Sequence, residues 1–113
     1  MEILDHLDVH NYLVKNPVST YLMRVAPNSY SMKDAGIYPG DILVVDKAAE
    51  YKSRSIVVAA VNGEFTLKRL ILNEKSWELW PENKSYPVIK LNNYDEMTVW
   101  GTVIGVVRKF NNL

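Results

Sequence analysis

Short apolar runs broken by turn-forming residues fill most of the chain, and this patterning predicts many strands and one helix. Near the start, Asp8 is an N-cap candidate for a short helix over residues 8–15, with Val9, Tyr12 and Leu13 on one face and Asn16-Pro17 as the stop. Residues 19–26 are rich in Thr, Tyr, Leu and Val and end at Pro27, as a strand entering a loop would. Residues 41–46 and 55–61 are short apolar runs of the kind buried on both faces, and the polar stretch between them predicts an exposed connection. Asn62-Gly63 lies between two apolar runs and predicts a type I′ hairpin, because that turn needs positive φ at both central residues. Further strands are expected at 77–80, 88–91 and 97–109, separated by turn-forming stretches at 73–76, 81–87 and 92–96. Gly101 and Gly105 interrupt the last run and predict a bulge or sharp bend. The fold class expected is all-β, with one short N-terminal helix and a curled sheet.

The 113 residues fit one compact domain, 1–113, in which residues 1–16 form an arm and the short helix. Apolar residues make up 48% and charged residues 23%, enough apolar character for a buried core. Thirteen basic and 13 acidic side chains cancel, which argues against direct sequence-specific DNA binding. The absence of cysteine removes disulfides, thiolate catalysis and cysteine-held zinc. Glu2, Asp5 and Asp8 interrupt the first ten residues, which do not read as a secretory signal, and no apolar run approaches the roughly 20 residues of a membrane span. A cytoplasmic location is expected, with no membrane contact.

His6 and His10 stand four apart, a spacing that could place two metal ligands on one helical face. They have no companion ligand pattern, so solvated N-terminal side chains are the simpler account and no metal is expected. No phosphate-binding loop, dinucleotide fingerprint or carboxylate cluster is present, and no cofactor is expected. A serine and a lysine remain: the hydroxyls of Asn28-Ser-Tyr-Ser-Met32, and Lys68 in the second strand of the Asn-Gly hairpin. Serine needs a base to take its proton, and lysine can be that base only when neutral. Period-two alternation puts Lys68 on a face with Thr66, Leu70 and Leu72, where an apolar setting would lower its pKa.

The segment Ser31-Met-Lys-Asp-Ala-Gly-Ile-Tyr-Pro-Gly-Asp-Ile-Leu-Val-Val-Asp46 resembles the serine box of the LexA/UmuD family of self-cleaving peptidase domains. Val58-Ala-Ala-Val-Asn-Gly-Glu-Phe-Thr-Leu-Lys-Arg-Leu70 resembles the lysine box of that family. Pro81-Glu-Asn and Trp100-Gly-Thr-Val-Ile-Gly-Val-Val107 are similar to its closing strands. The likeness spans nearly the whole chain and is nearest to the UmuD branch. It departs in one place: the family presents a glycine and one further residue before the serine, whereas Ala26-Pro-Asn-Ser-Tyr-Ser31 is two residues longer with proline in place of glycine. A second register therefore places Ser29 at the nucleophile position, although Ser31 is the serine followed by Met32.

The resemblance implies a curled, partly barrel-like LexA/signal-peptidase-type fold and a serine–lysine dyad. Ser31 would be the nucleophile and Lys68 the general base, with the backbone N–H at Ser31 or Met32 as oxyanion donor. It further implies a UmuD′-like accessory subunit of an error-prone translesion polymerase in the SOS response. As a homodimer it would join a Y-family, UmuC-like catalytic subunit and contact the RecA filament and the sliding clamp. Two alternatives stand beside this: an active peptidase that cuts a full-length partner in trans, and the dimerisation domain of a LexA-like or phage repressor. The repressor needs a DNA-reading domain that residues 1–16 cannot hold. The apolar aromatics Trp77, Trp80, Trp100 and Phe110 could line an interface, with core packing expected for at least two of the tryptophans.

Overall fold

The computed structural model describes residues 1–74, 76–92 and 95–110. The turns expected at 73–76 and 92–96 each include positions outside these residues. One antiparallel sheet of seven strands organises the chain, in the order β1-β2-β7-β3-β4-β5-β6. The strands are β1 Thr20–Arg24, β2 Ile42–Asp46, β3 Ile56–Val61, β4 Glu64–Asn73, β5 Ser76–Trp80, β6 Ile89–Lys90 and β7 Met97–Val107. The fold class is mainly β with one short helix, as the patterning predicts, and the sheet is not closed into a barrel.

The helix is α1, Val9–Leu13, capped by Asp8, whose side chain accepts from Asn11 N. It is shorter than expected, and its Val9 and Tyr12 face solvent. Leu13 shows where it docks: its Cδ2 lies 2.9 Å from where a Cβ on Gly105 would stand, so a side chain there would have to displace it. The hairpin at Asn62-Gly63 forms as expected, with φ of 50° and 86° and β3 paired to β4 from Val61↔Glu64 to Ile56↔Arg69.

β7 lies between β2 and β3 and pairs with both, and its register slips once against each. Val58 faces Gly101 while Ala59 faces Val99, so Trp100 is the extra residue. Val44 faces Gly105 while Val45 faces Val103, so Ile104 is the second. Each bulge adjoins one of the two glycines that the sequence marks as breaks, and bulges add local twist and bend the strand. At Gly101 a Cβ would stand 2.6 Å from Val45 Cγ1, so β2 and β7 approach too closely there for any side chain.

Two apolar clusters form the core. Val25, Met32, Ile37, Leu43, Val45 and Val58 make one, with Trp100 packed against it. Val57, Ala59, Leu70 and Leu79 make the other, with Trp77 packed against it. Consecutive residues Val57 and Val58 belong to different clusters because side chains alternate along a strand, which is why β3 reads as an unbroken apolar run. Trp80 is half exposed and Phe110 almost fully so; two tryptophans pack on the core, as expected.

Candidate active site

β5 pairs with β4 only from Arg69↔Trp80 to Asn73↔Ser76, so the outer edge of β4 is unpaired over residues 64–68. The β1–β2 connection, residues 25–41, reaches that edge. Within it Lys33–Ala35 forms a turn of 3-10 helix that ends at Gly36, whose left-handed φ of 84° turns the chain back toward β2. Ala35-Gly36 is thus a turn. Met32 fills the first apolar cluster and is 1% exposed, so the residue after Ser31 is an anchor.

Ser31 is buried at the open edge, its Oγ donating to Leu67 O at 3.3 Å. Lys68 Nζ donates to Ser31 Oγ at 3.1 Å and to Thr66 Oγ1 at 2.7 Å. Alternation on β4 puts Thr66, Lys68 and Leu70 on one side, and only Leu72, past the covered region, is exposed. No carboxylate lies within ion-pair distance of Lys68 among the described residues. Burial without a counter-ion lowers the Lys68 pKa below the ordinary lysine value, by desolvation of its ammonium form. Ser29, the other serine considered, lines a depression of about 200 Å³ with Met23, Val58, Phe65, Thr66 and Leu67, while the hydrogen bond to Lys68 is made by Ser31. The depression adjoins the dyad through Thr66 and Leu67 and is mostly apolar.

The N–H groups of Ser31 and Met32 have no acceptor among the described residues. His6 and His10 lie on the exposed N-terminal segment, His6 beside Asp5 at 3.3 Å, and no metal-holding group of side chains occurs among the described residues. No helix there is long and apolar enough to cross a membrane.

Several residues that shape this region carried no isolated signal in the sequence. Asp41, 2% exposed, accepts from Arg108 Nε and NH2 at 2.7 Å each and from Tyr38 N at 2.8 Å. Arg108 NH2 also donates to Gly36 O at 2.7 Å, which fastens the far end of the serine loop to the exit of β7. The Arg108 pair holds the Asp41 pKa below the ordinary carboxylate range. Asp46, 1% exposed, accepts from Ser19 Oγ at 2.7 Å, Asn16 Nδ2 at 2.8 Å and Ala48 N at 2.8 Å, and the Ser19 and Asn16 bonds lead in lowering its pKa. Only the pairing of side chains 67 positions apart reveals the Arg108–Asp41 bond, and local pattern does not reach that far.

Comparison with known proteins agrees with the resemblance carried by the serine and lysine segments. A family model described as Peptidase S24-like matches residues 1–104. The protein MucA of Salmonella typhimurium is 42% identical over 98 residues, covering 86% of this chain and 65% of MucA. SamA, from the same organism, is 35% identical over 105 residues, 93% of this chain and 71% of SamA. The LexA repressor of Delftia acidovorans is 42% identical over 88 residues, 78% of this chain and 38% of the repressor. The chain thus matches a little under two thirds of MucA and a smaller share of the repressor.

Proposed function

The chain belongs to the Peptidase S24-like family, of the LexA/UmuD type, and on that premise we propose that it is a UmuD′-like accessory subunit of an error-prone translesion polymerase in SOS mutagenesis, carrying a serine–lysine peptidase site. The observation that carries the catalytic part is a buried lysine 3.1 Å from a buried serine with no carboxylate beside it. In this reading residues 1–113 act as one peptidase-like domain. It is a homodimer that joins a Y-family catalytic subunit in the cytoplasm, with the RecA filament and the sliding clamp as further contacts.

The chemistry follows from the geometry. Neutral Lys68 takes the proton of Ser31 Oγ as that oxygen attacks a peptide carbonyl, with Thr66 Oγ1 holding Nζ in place. The carbonyl oxygen becomes an oxyanion, stabilised by the free amides of Ser31 and Met32. Lys68 then returns the proton to the departing amine, and water cleaves the resulting ester by the same relay. The apolar depression beside Thr66 and Leu67 favours small or apolar side chains next to the scissile bond.

Because Lys68 Nζ lies 3.1 Å from Ser31 Oγ in the folded chain, a second reading is cleavage of a full-length, arm-bearing UmuD-type partner in trans. Incubation with such a partner at mildly alkaline pH, followed by mass spectrometry, tests both. Cleavage is expected from the parent and from Ser29→Ala, and a drop of about 10³-fold or more in Ser31→Ala and Lys68→Ala. A folded parent that leaves the partner intact refutes the peptidase and leaves the accessory subunit; activity surviving in Ser31→Ala refutes the assignment of the nucleophile.

A further inference from the structure

Besides its side-chain contacts with β4 and with Arg108, the loop carrying Ser31 is hydrogen-bonded from Asn28 to Asp34 by residues 81–86, between β5 and β6. Glu82 N donates to Ser31 O at 2.7 Å, and Asp34 N donates to Glu82 O at 2.8 Å. Asn83 Nδ2 donates to Tyr30 O at 2.8 Å. Tyr86 Oη accepts from Tyr30 N at 3.2 Å and donates to Asn28 O at 3.4 Å. The residue before the nucleophile, the nucleophile and the residue three beyond it are all held by this segment.

Glu82 has a second attachment. Its Oε1 accepts from Arg69 Nε at 2.6 Å, and Arg69 follows Lys68 directly on β4. Arg69 is itself steadied by donating from NH1 to Arg54 O at 2.6 Å. One residue thus grips the nucleophile through its backbone and the strand of the base through its side chain. As a source of stability the ion pair is minor, because both side chains are about a third exposed and such pairs contribute little. As a ruler it matters more, since displacement of a reacting group by about 1 Å can cost about 10²-fold in rate.

We propose that Glu82 is a positioning residue for the serine–lysine site, its carboxylate setting the distance between Ser31 and Lys68 by tying the serine loop to Arg69. This rests on the dyad reading given above. Asn83 and Tyr86 hold the loop itself, while within residues 81–86 it is Glu82 whose side chain reaches the base strand.

The test uses the full chain and a fluorophosphonate probe, in which a Ser31 Oγ–P bond forms as P–F breaks and the serine proton passes to Lys68. Glu82→Ala is expected to lower the maximal labelling rate about 10-fold or more while half-saturation and the pH midpoint stay at parental values. Glu82→Gln, which still accepts from Arg69, is expected to recover part of the rate. A parental rate in Glu82→Ala, or a loss that glutamine does not relieve, overturns the proposal. If the parent itself is not labelled, the dyad reading fails separately, and the brace is judged by hydrogen exchange at the amides of Lys33, Asp34 and Ala35. These should exchange about 10-fold faster in Glu82→Ala at unchanged Tm; parental exchange there also overturns the proposal.

Discussion

Lys68 on β4 and Asp46 on β2 are both buried ionisable groups of one sheet, with β7 and β3 between them, and the fold treats them in opposite ways. Asp46 is ringed by Ser19, Asn16 and the Ala48 amide, all donors, so its charge is welcomed and the start of β1 is pinned to the end of β2. Among the described residues Lys68 Nζ hydrogen-bonds to two hydroxyls alone, and neither carries charge. A structural site satisfies its ion; Lys68 lacks a counter-ion, and burial without one lowers its pKa below the ordinary lysine value, the direction that the proposed base requires.

Giving Lys68 the counter-ion it lacks should break the contrast most strongly. Thr66→Asp places a carboxylate where the Thr66 hydroxyl now accepts from Nζ, and it should raise the Lys68 pKa and carry the pH midpoint of phosphonate labelling upward with it. Each unit of that shift costs about 10-fold in rate at neutral pH. An unmoved midpoint would mean that Lys68 is not the base being titrated.

Removing the satisfied ion should be felt as stability. Asp46→Ala strands three donors and is expected to lower unfolding free energy by about 1–3 kcal/mol in denaturant titrations at pH 7. Because the folded pKa of Asp46 lies below its unfolded value, its contribution is present in full above the ordinary carboxylate range and is lost as pH falls through the folded pKa. The difference between parent and variant should therefore shrink in acid.

The smallest effect has the opposite sign. Lys68→Met ends the desolvation of an unpaired ammonium and should stabilise the chain by about 1 kcal/mol at neutral pH while abolishing labelling. The Lys68 pKa is lower folded than unfolded, so the folded chain binds fewer protons and parental stability rises with pH across that window. The advantage of methionine should accordingly vanish as pH climbs into the ordinary lysine range; an advantage independent of pH would point to packing instead.

What was legible in the sequence follows the range of each interaction. Asn62-Gly63 needs only its own φ angles, and Gly101 and Gly105 announced breaks that the structure places as two bulges. The alternation of Thr66, Lys68 and Leu70 gave the face of β4 that bears the base. The serine was narrower than a pattern could resolve, because Ser29 and Ser31 differ by a loop register, and only the three-dimensional path of the loop brings Ser31 Oγ to Lys68 Nζ. The Val9 and Tyr12 face promised burial that α1 does not provide, since Leu13 alone finds a seat against Gly105. Arg69–Glu82 and Arg108–Asp41 join distant segments and left no periodic trace.

β7 bears neither nucleophile nor base nor brace, yet among the described strands it is the sole neighbour shared by β2 and β3. It follows β1 to β6 in the chain. Its 11 residues fill the lane between two strand pairs, β1–β2 with the serine loop and β3–β4 with the lysine. The proposed chemistry is thus bridged by a strand that takes no part in it: β7 carries β2 and β3, and through them the Ser31 loop and Lys68.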